Sequence, residues 1–202
     1  IKDNTGSEVL GIIAHDTVLR KECEELEEGA DLSKLINDMF ETMYDARGVG
    51  LAAPQVSKSL RLFVIDAAAF AEDDPESEEE KMEQEFLKTF QRTFINPIIE
   101  EETGPEWPFS EGCLSIPGIR EEVFRKRDII ISYFDEKWQL KEEKLTGLAA
   151  RVVQHEYDHI EGVLFTDYLS PLKRRLLKSR LTDISKGQVD VSYKMRFPKK
   201  KR

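Results

Sequence analysis

His155 and His159 stand four residues apart in the stretch His155-Glu156-Tyr157-Asp158-His159, and they are two of the chain's three histidines. On a helix of 3.6 residues per turn, residues four apart lie about 40° from one another around the axis. Both imidazoles would then reach one ion from a single face, and Glu156 could take a proton from a water held there. Alone, the stretch says only that the chain is a metal-dependent hydrolase. A catalytic metal takes three protein ligands and keeps an open position, and no third histidine lies downstream. Asp167 and Asp183 are the nearby acids outside this stretch, and neither has the spacing of a metalloprotease ligand. Upstream, Glu111-Gly112-Cys113-Leu114-Ser115 offers Cys113, one of two cysteines. A thiolate with two imidazoles is a sound donor set for a divalent transition metal. A lone cysteine is otherwise a small buried hydrophobe, and that reading holds for Cys23 in its charged run. A third segment, Gly48-Val49-Gly50-Leu51-Ala52-Ala53-Pro54-Gln55, has glycines that permit close backbone approach. Its Gln55 amide can donate to a developing oxyanion. Singly, it is also what a tight helix-to-strand connection looks like.

These residues need elements to hold them. Thr146 is an N-cap candidate for the metal-motif helix, and Gly162 suits a left-handed stop. Between them Leu148, Val152, His155 and His159 form one stripe, apolar first and metal-binding second, which predicts an apolar pocket beside the ion. Arg151 is expected near that pocket's mouth, its stem over the apolar surface and its charge in water. Asp31 is expected to cap an earlier helix whose Leu32, Leu35, Ile36, Met39, Phe40 and Met43 share a buried face. Residues 60–66, 92–100 (ended by a kink at Pro97 or beyond) and 127–134 read as strands. A turn at 135–137 returns the chain through 138–145. The expected fold class is α+β: antiparallel β-sheets packed around a central metal-binding helix, with a helix in the N-terminal half and a C-terminal helix.

The three segments together resemble the peptide deformylase family. Its members carry Gly-x-Gly-Leu-Ala-Ala-x-Gln, Glu-Gly-Cys-Leu-Ser and Gln-His-Glu-x-x-Asp-His in that order, here intact at 48–55, 111–115 and 154–159. The likeness extends over most of residues 9–180, and the C-terminal helix resembles the type I, bacterial-type branch. The resemblance implies Cys113, His155 and His159 as metal ligands, with Glu156 as general base and acid. It also implies that Gln55 and the backbone N–H of Leu114 hold the formyl oxygen. One divalent ion is implied, Fe²⁺ by expectation, with Zn²⁺, Ni²⁺ or Co²⁺ able to serve. The implied substrates are N-formylmethionyl nascent peptides, cleaved to formate and a free N-terminal methionine. Val49, Phe109, Leu148 and Val152 match positions lining the methionine pocket. The rest of the peptide is expected to add as a strand along Val49, Gly50 and the segment near Ile116. A zinc metalloprotease and a non-catalytic, ribosome-associated relative are the alternatives. Cys113 and the two further motifs disfavour the first, and the complete catalytic set disfavours the second.

At 202 residues the chain is expected to form one domain with a real core. Residues 1–180 would be the catalytic unit and 181–202 a basic extension. No apolar run is long enough for a membrane span. Two cysteines, one wanted reduced for metal, favour a cytoplasmic setting over a disulfide scaffold. A monomer with no membrane partner is expected. The net charge of −10 is unevenly spread. Residues 72–85 carry nine acids against Lys81 and read as a solvated insertion, mobile or partly helical. From 172 to 202, twelve Lys or Arg face two Asp. That end is either a solubility device or a contact for ribosomal RNA.

Overall fold

The computed structural model describes residues 6–15, 17–72 and 74–198. Asp73 of the acidic run and the terminal basic residues 199–202 lie outside them. The elements run β1 (Ile12–Ile13), α1 (Ser33–Asp45), β2 (Gly50–Ala52), β3 (Leu62–Asp66), α2 (Glu78–Leu87), β4 (Gln91–Cys113), β5 (Ile116–Phe134), β6 (Leu140–Thr146), α3 (Gly147–Ile160), α4 (Pro171–Ser185) and β7 (Met195–Arg196). Strands β2 to β6 form one antiparallel sheet in sequence order, and β1 pairs with β7 in parallel. The fold is thus the expected mixture of helices and antiparallel strands.

β3 shows how the sheet is covered on both faces. Successive side chains of a strand point to opposite sides, and here Phe63 and Ile65 join the core under α3 while Leu62 and Val64 join the core under α1. Under α3, Phe63 stacks on Phe94 at 4.6 Å, and Phe94 meets Tyr133 at 4.3 Å. Each fully buried aromatic of this kind contributes roughly 1.5–3 kcal/mol of apolar burial. Ala149 and Ala150 keep α3 close to the sheet. On the other side Ile36, Met39 and Met43 make the buried face of α1, as the spacing predicted. Asp31 does not hold the expected cap position: Leu32 is the N-cap and makes no side-chain cap bond, while Asp31 sits one residue earlier, its Oδ1 accepting from Ser33 N at 3.1 Å.

Other boundaries move. Leu60 pairs only through an isolated bridge to Glu24, so the strand starts at Leu62. β4 does not end near Pro97. The register shifts between Ile95 and Ile98, and Asn96 takes a φ of +48°. Its side chain accepts from Leu26 N at 2.9 Å and donates to Leu26 O at 2.8 Å. The bulge is held in place, and the strand continues to Cys113. Thr146 occupies the N-cap position of α3 but its side chain makes no cap bond. Glu83 does that work instead, with Oε1 accepting from Leu148 N at 2.8 Å. A Cβ on Gly147, which has φ +60°, would lie 2.0 Å from Glu83 Oε1. The acidic insertion is therefore helical in part: Ser77 caps α2, and Glu83 ties it to the metal-motif helix. At the far end, the boundary expected at 180 falls inside α4. The chain then returns to dock β7 on β1, with Ile12 N donating to Lys194 O and Ala14 N to Arg196 O, both at 2.9 Å.

Candidate active site and metal centre

Two elements bring the three soft donors together. α3 presents His155 and His159 from consecutive turns, with ring centroids 5.1 Å apart. The turn between β4 and β5 presents Cys113. The donor atoms of these three residues all lie within 4.8 Å of one another. Bonds of about 2.3 Å to sulfur and about 2.1 Å to nitrogen put tetrahedral donors roughly 3.5 Å apart. Cys113 Sγ and His159 Nε2 are 3.3 Å apart, so the set fits a divalent ion. Burial first, then the charges of His155 and Arg125, hold the His159 pKa well below its usual value. Its ring stays neutral, as a ligand must be. For His155 burial also pushes down, but its interactions with Cys113 and Glu111 outweigh that and raise it, so an ion bound there would displace its proton. His155 Nδ1 lies 2.9 Å from Glu111 Oε2, which leaves Nε2 to face the other donors.

Glu156 lies on the same helix, 4% exposed, and its Oε2 has no hydrogen-bond partner among the described residues. Burial, reinforced by the charges of Glu111 and Asp158 and opposed by His155, pushes its pKa up to about 7. A carboxyl so placed can take and return a proton near neutrality. Gly50 explains how it is reached, because a Cβ there would lie 2.4 Å from Glu156 Oε1. No other residue fits that approach.

Around this centre is a charge network that motif reading did not supply. Glu111 accepts from Arg125 at 2.7 and 3.0 Å and from Arg151 Nη1 at 2.9 Å, besides facing His155. Burial raises the Glu111 pKa, but the His155 and Arg125 hydrogen bonds and the Arg125 charge more than reverse it. Arg125 also binds Asp158, at 2.7 Å. Arg151 corrects an expectation. It is 1% exposed, its Nη2 donates to Trp107 O at 2.6 Å, and Trp107 stacks on it at 4.5 Å. The charge turns inward because Glu111 supplies a buried counter-ion. Nothing in the local sequence around Arg125 or Arg151 signals this partner.

Gln55 sits at the other side of the centre, 1% exposed. Ala52 N donates to its Oε1 at 2.9 Å, which aims Nε2 at Cys113 Sγ (3.5 Å) and Ser115 Oγ (3.2 Å). A cavity of about 590 Å³ opens over these groups, with Val49, Gly50, Phe109, Leu114, Ile116 and Val152 in its walls. Leu148 lines the neighbouring hollow instead, beside Glu83, and Phe70 and Phe109 stand between the two. β2 is one of the two edge strands of its sheet. Val49 O accepts from Asp66 N, so alternation turns the polar groups of Gly50 outward, toward the cavity.

A helix-borne His-Glu-x-x-His pair completed by a cysteine sulfur, with a buried carboxyl beside it and an apolar cavity above, defines a metal-dependent hydrolase. The profile of the polypeptide deformylase family matches residues 12–175, and the chain belongs to that family. It is 57% identical over 196 residues to the peptide deformylase of Christiangramia forsetii, covering 96% of this chain and 98% of that one. With the peptide deformylase of Cytophaga hutchinsonii it is 53% identical, covering 94% and 98%. Among solved structures, the peptide deformylase of Legionella pneumophila superposes with a TM-score of 0.73 at 40% identity, covering 89% of this chain and 97% of that one. That of Ehrlichia chaffeensis superposes with a TM-score of 0.76 at 33% identity, covering 90% and 99%.

Proposed function

We propose that the chain performs its family's reaction, removal of the formyl group from N-terminal formyl-methionine of nascent proteins, with Cys113, His155 and His159 holding one divalent ion. What carries this reading is the three donor atoms within 4.8 Å beside a buried Glu156 oxygen that has no other partner among the described residues. An ion held by these three residues would supply positive charge and lower the pKa of a water beside it. Fe²⁺ is the expected resident, and the mixed sulfur and nitrogen set also suits Zn²⁺, Ni²⁺ or Co²⁺. Glu156 takes the proton of the attacking water as its oxygen bonds to the formyl carbon. The Gln55 amide and the Leu114 N–H donate to the formyl oxygen as it gains charge. The carbon–nitrogen bond then breaks, and Glu156 returns the proton to the leaving nitrogen. Formate and a free amine result. Val49, Phe109 and Val152 receive the methionine side chain, with Leu148 behind Phe109, and Gly50 pairs with the peptide backbone.

A monomer is the expected form. Both cysteines are unpaired, as a cytoplasmic setting would keep them. No helix among the described residues is long and apolar enough to cross a membrane. Exposed Arg174, Arg175 and Lys178 on α4 support contact with ribosomal RNA. Formate release from a formyl-methionyl peptide under anaerobic conditions, beside an unformylated control, tests the whole reading. Cleavage of an internal peptide bond without formate would overturn it.

A further inference from the structure

Four residues near the C-terminus, Asp190, Val191, Ser192 and Tyr193, line the cavity, though no motif marks them. They arrive there because β7 docks on β1, where Arg196 also donates to Ser57 Oγ at 3.2 Å and crosses Gly11. A Cβ on Gly11 would lie 2.4 Å from Arg196 Cγ, so the two segments touch backbone to side chain. The Tyr193 ring packs against the core under α1, and its hydroxyl donates to Leu114 O at 2.7 Å. Leu114 is gripped elsewhere too. Its side chain presses on Gly48, where a Cβ would lie 2.7 Å from Leu114 Cδ1. Its neighbours Cys113 and Ser115 both accept from Gln55.

We propose that Tyr193 is a positioning residue for deformylation: by holding the Leu114 carbonyl it fixes the turn that aims the Leu114 N–H at the formyl oxygen, and residues 190–193 wall the groove beyond the methionine pocket. The inference rests on the functional reading above. The Leu114 carbonyl and N–H lie on the two peptide planes flanking its Cα, so with the carbonyl plane anchored by Tyr193 only the φ and ψ of Leu114 separate it from the N–H plane, whose other neighbour Cys113 is held by Gln55. A donor aimed at the charge that develops in the transition state affects kcat more than ground-state binding. A hydroxyl that only packs would not.

The test is steady-state kinetics on a formyl-methionyl tripeptide with metal-replete full-length protein, comparing wild type, Tyr193→Phe and Arg196→Pro. Wild-type formate release comes first, because its absence would end the functional reading and leave this inference without a subject. Given that activity, Tyr193→Phe should lower kcat about tenfold, the effect of one lost hydrogen bond, with KM within about threefold. Its metal content should stay at one ion per chain. Arg196→Pro leaves Tyr193 in the chain but spoils the β1–β7 pairing, and it should lower kcat as well. If Tyr193→Phe does not fold, the kcat of Arg196→Pro decides between the outcomes. Wild-type kcat in the folded variants, or a loss explained entirely by lost metal, overturns the proposal.

Discussion

Glu156 gathers more of the local physics than any other residue in the molecule. It is buried between the proposed ligands His155 and His159 in the sequence of its helix, its pKa is held near neutrality, and it is reached only because Gly50 has no side chain. Glu156→Gln keeps the shape and every ligand but cannot accept a proton. Metal content should be retained while turnover falls by roughly 10²-fold or more, read by elemental analysis beside formate release. A variant with near-wild-type turnover would remove Glu156 from the chemistry. Cys113 is the oxidisable member of the donor set, and it is only partly buried. With Fe²⁺ loaded, air should abolish activity as ion and thiolate oxidise, and Ni²⁺ should slow the loss. Mass spectrometry of Cys113 alongside the decay checks this; equal lifetimes for all metals with an unmodified thiol would count against it.

Among the elements, α3 depends on a partner from the acidic insertion. Glu83 accepts from Leu148 N–H, one of the helix's free first-turn donors, where a carboxylate also meets the positive end of the dipole. Glu83→Ala should cost about 1 kcal/mol and lower the melting temperature by roughly 2–4 °C. Glu83→Gln should recover part of that, since its amide oxygen still accepts. An unchanged melting temperature in the alanine variant would show that the contact contributes nothing. The β5–β6 turn gives a pH-dependent counterpart. Asp135 Oδ1 accepts from Lys137 N and Gln139 N, both at 2.9 Å. Burial raises the Asp135 pKa, but those bonds and Lys141 together outweigh it and bring it below its ordinary 3.8. A depressed carboxyl pKa stabilises the fold above the unfolded value and loses that contribution as pH falls through the folded one. The melting gap between wild type and Asp135→Ala should therefore be steady at neutral pH and shrink below about pH 4. A gap independent of pH would assign the turn to packing alone.

At the scale of the whole molecule, the charge asymmetry meets the fold. Not every cation of α4 faces outward freely: Lys173 pairs with Glu121 at 2.8 Å, and Arg180 donates to Gly118 O. Removing everything after Leu172 would also take away β7 and Tyr193, so it would confuse ribosome contact with catalysis. The cleaner variant drops residues 199–202 and replaces Arg174, Arg175 and Lys178 with glutamine. It should co-sediment less with ribosomes at low salt, and the wild-type contact should itself weaken steeply with salt as counterions are released. Turnover of a short formyl-methionyl peptide should be unchanged. Equal co-sedimentation of the two proteins would leave the cations a solubility role.

What the sequence determined by itself was the chemistry whose geometry is local. Four residues of helix put His155 and His159 on one face, whatever the rest of the chain does. The alternation and turn residues of 127–145 announced a hairpin, and the apolar spacing of 32–43 announced the buried face of α1. The Gly-rich segment told that something approaches closely, but not that it is Glu156. Tertiary structure alone decided the contacts between distant residues: Arg151 turned inward to Glu111, Arg125 joined to both Glu111 and Asp158, Glu83 capping α3, and Tyr193 reaching Leu114 across 79 positions. None of these has a period or a spacing to read. A guanidinium prefers water until a buried carboxylate is already there to meet it, and a C-terminal tyrosine finds a carbonyl only after two short strands have paired. Such contacts are chosen by which groups the completed core leaves dry and unpartnered, and that choice is made by the whole chain at once.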